Sequence, residues 1–269
     1  PSGSIQYLKY SLDGKHIFAT DDDAAYMYET ESGVFLKKIK KQSKSHRNAD
    51  CYPDASAIAY IDKSNQPCVY NMNTSKTTIL SSAIDTEYYN VYITVSPDGN
   101  YIAVGEEDSG KLHIYNAKTL KKNYLIDLKD KGVSLPSEFT FTPDSKKIAM
   151  IASGNDTQSR VVVIDLQGNI LNSIETGAYS SNLTFSPNGN YFAVETKDSI
   201  VIYDFTYKTI IDSYGKPFET FEHKQWDKKK EYIAIIVSGM QMPIDEIEGV
   251  YNRYKEESDR VNKNADQFY

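Results

Sequence analysis

The sequence lacks the features of a membrane-spanning or nucleic-acid-binding protein. No apolar run reaches the length of about eighteen residues that a membrane-spanning helix needs, and no signal-peptide core opens the chain. Pro1-Ser2-Gly3-Ser4 is typical of a trimmed end, so an earlier leader stays open. Acidic residues outnumber basic ones, which gives a net charge of −7 and a pI near 5.2. Proteins that grip a phosphate backbone are usually basic, so no nucleic-acid partner is expected.

Catalytic and cofactor motifs are missing too. The sequence has no Gly-x-Ser-x-Gly elbow, phosphate-binding glycine loop, Cys-x-x-Cys pair or His-Glu-x-x-His helix. Its histidines are spread along the chain without the convergent spacing of a metal site, at His16, His46, His113 and His223. We therefore expect no catalytic, cofactor-binding or metal-binding residue.

A repeated phrase is what the sequence does contain. A Pro-Asp-Gly-like turn followed by an apolar anchor residue occurs six times, at Ser11–Ile17, Tyr52–Ile58, Ser96–Ile102, Thr142–Ile148, Ser186–Phe192 and, in worn form, Lys229–Ile233. The intervals between anchors are 41, 44, 46, 44 and 41 residues. A period of this size is typical of propellers and other repeat architectures.

Each repeat has the content of one four-stranded unit. Pro presets φ in the turn, Asp bonds its own backbone and Gly accepts positive φ. In the third copy, the turn joins strand a (91–95) to strand b (101–105), and strands c (112–116) and d (123–128) follow. This pattern predicts an all-β propeller over residues 1–237 with six repeats, the last irregular. The units are expected near 5–43, 48–85, 90–131, 137–178, 181–217 and 219–237.

The phrase Ser-Pro-Asp-Gly-x-Tyr-Ile-Ala, followed by Ile-Tyr-Asp or Ile-Tyr-Asn, resembles the WD-repeat superfamily in its broad sense. The resemblance covers about residues 5–237. It departs from that family because no Gly-His pair precedes strand a and no Trp-Asp dipeptide occurs; the one tryptophan, Trp226, lies in the degenerate turn. Divergent bacterial-type and lactonase-like propellers are equally close. The resemblance implies a propeller that works as an interaction scaffold.

The ends of the repeat array do not close on themselves. The sixth unit has strands a and b only, and Met242-Pro243 followed by acidic residues predicts a short helix within a C-terminal extension, 238–269, that packs on or completes the propeller. Either a late strand lies within 249–254, or the native protein extends beyond the N-terminus and supplies the missing strands. We favour the second, so the chain is expected to be part of a larger chain or complex.

The two cysteines are predicted to be free thiols. Cys51 falls on strand a and Cys68 on strand c of the second unit. Two strand spacings separate their backbones by about 9.6 Å, whereas a disulfide needs Cα atoms within about 7 Å. Without a bridge the chain has no need of an oxidising compartment, which favours the cytoplasm.

Charged clusters give weaker signals. Asp21-Asp22-Asp23 and Glu106-Glu107-Asp108 fill b–c loops and are interpreted as solvated loops in preference to cation sites. The stretch from Lys37 to Arg47 is the one dense basic segment. It is either a solvated loop or a dock for an acidic partner or phosphate.

Chain geometry predicts the working surface. Strands alternate in direction, so the tight a–b and c–d turns share one face and the long b–c and d–a loops share the other, where recognition residues concentrate. We predict a non-catalytic scaffold that binds a protein or peptide partner there, without a cofactor. The alternatives are a lactonase-like hydrolase and a sensor that binds a small ligand or sugar at the channel mouth. The candidate partner-binding residues are Lys41, Lys44, Arg47, Tyr88, Tyr89, Glu106, Glu107, Arg160, Tyr179, Met240 and Met242.

Overall fold

The computed structural model describes residues 5, 7–41, 48–80, 91–106, 109–153, 159–177, 180–196, 199–206 and 210–215. These residues form five four-stranded sheets. Within each sheet, consecutive strands pair antiparallel in chain order. We name the sheets 1 to 5 and the strands of each sheet a to d.

The strand bounds repeat from sheet to sheet. Sheet 1 contains β1 (Tyr7–Tyr10), β2 (His16–Thr20), β3 (Ala24–Glu29) and β4 (Phe35–Lys40). Sheet 2 contains β5 (Ala49–Cys51), β6 (Ala57–Ile61), β7 (Pro67–Asn71) and β8 (Lys76–Ile79). Sheet 3 contains β9 (Val91–Val95), β10 (Tyr101–Glu106), β11 (Lys111–Asn116) and β12 (Lys122–Asp127). Sheet 4 contains β13 (Ser134–Phe141), β14 (Lys147–Ser153), β15 (Ser159–Asp165) and β16 (Ile170–Gly177). Sheet 5 contains β17 (Ser180–Phe185), β18 (Tyr191–Thr196), β19 (Ser199–Asp204) and β20 (Ile210–Gly215).

The anchor residues mark strand b as predicted. Ile17, Ile58, Ile102, Ile148 and Phe192 are each the second residue of a strand b. The sixth anchor, Ile233, the sixth repeat and the helix predicted after Met242 lie outside the described residues.

Among the residues that the structure describes, one helical element interrupts the strands. A 3₁₀ turn of three residues spans Lys129–Lys131 and leaves the predicted all-β architecture unchanged. The Asp127 carboxylate accepts the backbone N–H of Lys129 at 3.0 Å, and Gly132 ends the turn in the left-handed conformation with φ +68°. The turn occupies the d–a connection of sheet 3.

The sheets radiate from an axis and pack face to face. Strands a of successive sheets lie against each other, β5 on β9, β9 on β13 and β13 on β17. Strand b contributes to the core on both sides: Ile102 and Val104 pack towards sheet 2, and Ala103 packs towards sheet 4. Alternate residues of a strand point to opposite faces, so both faces of an inner sheet carry apolar residues. Each fully buried Ile side chain contributes roughly 1.5–3 kcal/mol.

Both cysteines are free, as predicted, and both are buried. Cys51 ends strand a of sheet 2 and Cys68 lies in its strand c, with strand b between them. Burial raises the pKa of each thiol to about 12.

Candidate functional site

Side-chain hydrogen bonds fix the a–b turns. In sheet 3 the Ser96 hydroxyl donates to Asp98 at 2.6 Å and accepts the backbone N–H of Tyr101 at 2.9 Å. Asp98 also accepts the backbone N–H of Asn100 at 3.0 Å. The same hydroxyl-to-oxygen bond recurs in sheets 1, 4 and 5 as Ser11–Asp13, Thr142–Asp144 and Ser186–Asn188. One face of the propeller is therefore built from rigid, internally bonded turns.

The acidic b–c loops differ from the prediction. Asp21 and Glu106 are each 1% exposed, so their side chains belong to the interior and not to a solvated loop. Asp21 accepts the Tyr26 hydroxyl at 2.6 Å and the backbone N–H of Ala24 at 2.9 Å. A buried carboxylate that accepts several hydrogen bonds from its own loop holds the loop in one conformation.

Glu106 has the corresponding role in sheet 3. Its carboxylate lies 2.8 Å from Nε2 of His113 and accepts the Ser109 hydroxyl at 2.6 Å. Burial alone would raise the pKa of Glu106, but the bonds with His113 and Ser109 hold it below its usual range. This predicted partner-binding residue is thus turned inward.

A polar level lies on the strands a around the axis. The residue eight positions before each anchor is Lys9, Asp50, Thr94, Thr140 and Thr184 in sheets 1 to 5. Asp50 accepts from Lys9 Nζ at 3.0 Å, from the Thr94 hydroxyl at 3.1 Å and from the backbone N–H of Val95 at 2.8 Å. Three successive sheets are therefore joined through one carboxylate.

The charge of Asp50 is matched by that of Lys9. Burial alone would lower the pKa of Lys9, but the Asp50 carboxylate raises it well above its ordinary value. Lys9 and Asp50 therefore form a buried ion pair between sheets 1 and 2. Glu138 connects sheets 4 and 5 as Asp50 connects sheets 1 to 3, because its carboxylate accepts the backbone N–H groups of Asn182 and Leu183 at 2.8 and 2.7 Å.

A cavity of about 40 Å³ lies beside this polar level. Its aromatic walls are Tyr7, Tyr92 and Phe139, and its polar lining comes from Asp50, Thr94 and Thr140. We call these six residues the channel pocket. Tyr7 and Tyr92 lie at the beginnings of their strands a, whereas Thr94 and Thr140 each lie one residue before the end of theirs. The pocket therefore extends along the strands a towards the a–b turns.

Of the predicted partner-binding residues, the structure describes three, namely Lys41, Glu106 and Arg160. The remaining eight lie outside the described residues: Lys44, Arg47, Tyr88, Tyr89, Glu107, Tyr179, Met240 and Met242. The three described residues all belong to the b–c/d–a side. They are distributed over sheets 1, 3 and 4.

Lys41 and Arg160 both bind backbone carbonyls. Lys41 is fully buried, and its ammonium donates to the Asp22 carbonyl at 3.2 Å. Burial lowers the pKa of Lys41, opposed by the carboxylates of the Asp21–Asp23 loop. Arg160 Nη2 donates to the Gly132 carbonyl at 2.8 Å, which connects the loops of sheets 3 and 4.

The channel pocket was not predicted from the sequence. The available signal was the repeat itself, because aligning the copies on their anchors places Asp50, Thr94 and Thr140 at one position. In the described parts of the chain, no group of three or more His, Cys, Asp or Glu residues could hold a metal ion. No helix found there has the length and apolar character needed to cross a membrane.

The two faces differ in how uniform their connections are. In the five described sheets, every a–b connection has five residues and every c–d connection has four or five. The b–c connections range from two to five residues, and the d–a connections range from two to eleven. Regular turns therefore occupy one face and connections of very different length occupy the other.

The fold is a β-propeller with four-stranded blades. No protein-family model and no curated protein matches the sequence. Among solved structures, the chain is similar to the β-propeller domain of Myceliophteria thermophila Cps50 (Swd1), with a TM-score of 0.65 and 14% identity over 80% of this chain and 74% of that one. It is also similar to Kuenenia stuttgartiensis hydrazine synthase, with a TM-score of 0.58 and 15% identity over 74% of this chain and 62% of that one. At these identities the likeness establishes the fold alone.

Proposed function

We propose that the chain is a non-catalytic scaffold that binds a protein or peptide partner on the face of its b–c and d–a loops. The observation that carries the proposal is the asymmetry of the connections, four or five residues on one face and two to eleven on the other. Loops that vary on a rigid frame are where proteins concentrate recognition. The sequence predicts a cluster of basic, tyrosine and methionine side chains on the same face.

A scaffold role is supported by the state of the buried acids. Asp50, Glu106 and Glu138 each accept two or more hydrogen bonds within the fold. A general base needs a carboxylate that can reach a substrate proton, and these three carboxylates are engaged in holding strands and loops. Hydrolysis assays on lactones and esters test the enzyme alternative, and turnover that survives purification would overturn the non-catalytic assignment.

The proposal extends to a sixth unit and to a cytoplasmic location. Ala193 and Ile202 are buried on the face of sheet 5 that is turned away from sheet 4, which supports a further packing unit beside it. Free, buried thiols suit a reducing compartment. A leader sequence or a longer native chain would change the proposed location and would leave the proposed binding face unchanged.

The test compares matched variants in capture from native lysate. Lys44→Glu with Arg47→Glu, and separately Tyr88→Ala with Tyr89→Ala, alter the loop face. Lys118→Glu with Lys121→Glu makes the same charge change in the c–d turn of sheet 3, where both lysines are exposed. A partner that binds the loop face should lose at least about tenfold in affinity, or 1.4 kcal/mol, with the first two variants and not with the third. The reverse pattern would assign the working surface to the tight-turn face.

A further inference from the structure

Strand d of sheet 2 is the one regular outer edge among the five described sheets. In the other four sheets, strand d carries an extra residue opposite strand c, which forms a β-bulge early in the strand: Leu36, Asn123, Leu171 and Ile211. Strand β8 instead pairs with β7 residue for residue, from Lys76 opposite Asn71 to Ile79 opposite Cys68. Bulges on edge strands hinder pairing with another chain, so β8 lacks a protection that the other outer strands have.

The residues of β8 are exposed along the whole strand. Strands β4, β12 and β16 each bury apolar side chains in the core, among them Ile39, Ile126 and Ile174. In β8, all four residues from Lys76 to Ile79 are exposed. The strand is held by its pairing with β7 and by buried Leu80, whose N–H donates to the Pro67 carbonyl at 2.8 Å. The edge of sheet 2 is therefore open to solvent.

The bond of Leu80 also shows which main-chain groups of β8 face outward. In an antiparallel pair, residues that bond to the neighbouring strand alternate with residues whose N–H and C=O point away from it. Leu80 bonds to β7, so Lys76 and Thr78 point inward with it. The N–H and C=O groups of Thr77 and Ile79 therefore point out of the sheet, where an added strand would pair with them.

The charges around this edge are positive. Strands β4 and β8 contain no Asp or Glu and together contain four lysines: Lys37, Lys38, Lys40 and Lys76. The ammonium of Lys37 extends onto sheet 2, because it lies 4.3 Å from the centroid of the Tyr70 ring, and Tyr70 is the residue opposite Thr77. Each outer strand of sheets 3, 4 and 5 contains an acidic residue: Asp127, Glu175 and Asp212. Since opposite charges on neighbouring strands attract, an acidic strand fits β8 best.

We propose that β8 is a docking edge, at which an extended, acidic segment of a protein partner adds to sheet 2 as a fifth strand. Main-chain bonds to Thr77 and Ile79 hold the segment, and its Asp or Glu side chains lie beside Lys76 and Lys37. A second copy of the chain fits less well, because it would bring its own lysine-rich outer strands against these. The site is on the strand furthest from the axis, so it is separate from the b–c/d–a face and does not depend on the proposed function.

Selection of peptides tests the proposal. A displayed library of random dodecapeptides is selected on the intact chain at low salt and depleted on the variant Ile79→Pro. This substitution removes an outward N–H and leaves the bonds to β7 in place. The enriched peptides should contain Asp or Glu together with β-branched residues. Calorimetric titration of such a peptide should show binding to Ile79→Pro that is weaker by at least about tenfold.

Leu125→Pro provides the matched control on sheet 3. The N–H of Leu128 donates to the Gly110 carbonyl, so the same alternation makes the main-chain groups of Leu125 point outward from β12. Its side chain is 54% exposed and that of Ile79 is 59% exposed. Leu125→Pro should leave the affinity of the selected peptide unchanged. Equal losses with the two variants would overturn the inference.

Two further measurements decide the question even where Ile79→Pro fails to fold. At saturating peptide, hydrogen exchange of the Thr77 and Ile79 amides, followed by NMR, should slow by at least about tenfold because both N–H groups become paired. Lys76→Glu should weaken the peptide by at least about threefold, whereas Lys121→Glu, at an exposed lysine in the c–d turn of sheet 3, should not.

The contrary outcomes are equally definite. The inference is overturned when no peptide distinguishes the wild type from Ile79→Pro, when exchange at Thr77 and Ile79 is unchanged by a selected peptide, or when the enriched peptides are basic. A concentration-dependent dimer that Ile79→Pro abolishes would replace the acidic partner with a second copy of the chain. Sedimentation velocity of the wild type and of the variant measures this directly.

Discussion

The ammonium of Lys9 and the carboxylate of Asp50 meet at 3.0 Å between sheets 1 and 2, although 41 residues separate them in the chain. That separation equals the first interval of the repeat, so the two residues occupy the same position in successive units. Thr94, which donates to the other oxygen of Asp50, is one further interval along, at a separation of 44 residues. Hydrogen bonds between equivalent positions of the repeat thus connect the strands a of sheets 1, 2 and 3 around the axis.

Removing the Asp50 carboxylate should strongly destabilise the protein. Both side chains of the pair are only 4% exposed, and Asp50→Ala leaves the Lys9 ammonium buried without its partner. We expect a loss of about 3–5 kcal/mol in the free energy of unfolding, measured by urea denaturation followed by circular dichroism.

Lys9→Met provides the comparison for this change. Asp50 would keep the Thr94 hydroxyl and the Val95 and Cys51 N–H groups as donors, so the loss should be smaller than for Asp50→Ala. A cost below about 1 kcal/mol for Asp50→Ala would show that the pair is not needed for stability.

Gly105→Ala should destabilise the joint between sheets 3 and 4. The new methyl group would lie 2.4 Å from the Phe139 ring, so the ring must move. Overpacking of this kind costs about 1–3 kcal/mol, which thermal and urea unfolding would detect. In a Phe139→Leu background the ring is gone, and the cost of Gly105→Ala should fall by at least half. An equal cost in both backgrounds would locate the strain elsewhere.

The turns, the strand order and the position of strand b could be predicted because each depends on residues close together in one repeat. Ser96, Asp98 and Gly99 are neighbours in the chain, and their bonds form within five residues. The number of strands per unit follows from the same local signals. These features can be predicted from a single copy of the repeat.

The buried charges could not be predicted because they depend on contacts between distant segments. The sequence predicts a solvated loop for Asp21 and either a solvated loop or a docking segment for Lys41, yet the structure buries both side chains on the same side of sheet 1. Lys41 Nζ reaches the Asp22 carbonyl 19 residues away. A run of like charges is usually solvated. Here the basic segment and the acidic Asp21–Asp23 loop lie together, and the loop provides Lys41 with a carbonyl acceptor and with carboxylates of opposite charge.

The two thiols should be unreactive in the folded protein. With pKa values of about 12, only about one thiol in ten thousand is ionised at pH 8, and the thiolate is the reactive form. A thiol reagent such as Ellman's at pH 8 should therefore detect neither Cys51 nor Cys68 until urea unfolds the chain, and then it should detect two. Fast reaction of either thiol without denaturant would contradict the burial.

The a–b turn of sheet 3 should lose stability in acid through Asp98. Burial alone would raise the pKa of Asp98, but hydrogen bonds from Ser96 and Asn100 hold it below its usual range. A carboxylate with a depressed folded pKa contributes stability that is present above its unfolded pKa, near 3.9, and is lost as the pH falls through the folded value.

Ser96→Ala removes the 2.6 Å bond to Asp98, so the folded pKa of Asp98 should rise and the variant should be less stable by about 1 kcal/mol at pH 7. The difference in unfolding free energy between wild type and Ser96→Ala should then shrink between pH 5 and pH 3, measured by urea denaturation at each pH. Asp98→Asn supplies the control, because an amide at this position has no proton to gain, as Asn188 has none in the equivalent turn of sheet 5. In the Asp98→Asn background the effect of Ser96→Ala should not change with pH, and a persistent pH dependence there would assign the acid sensitivity to another carboxylate.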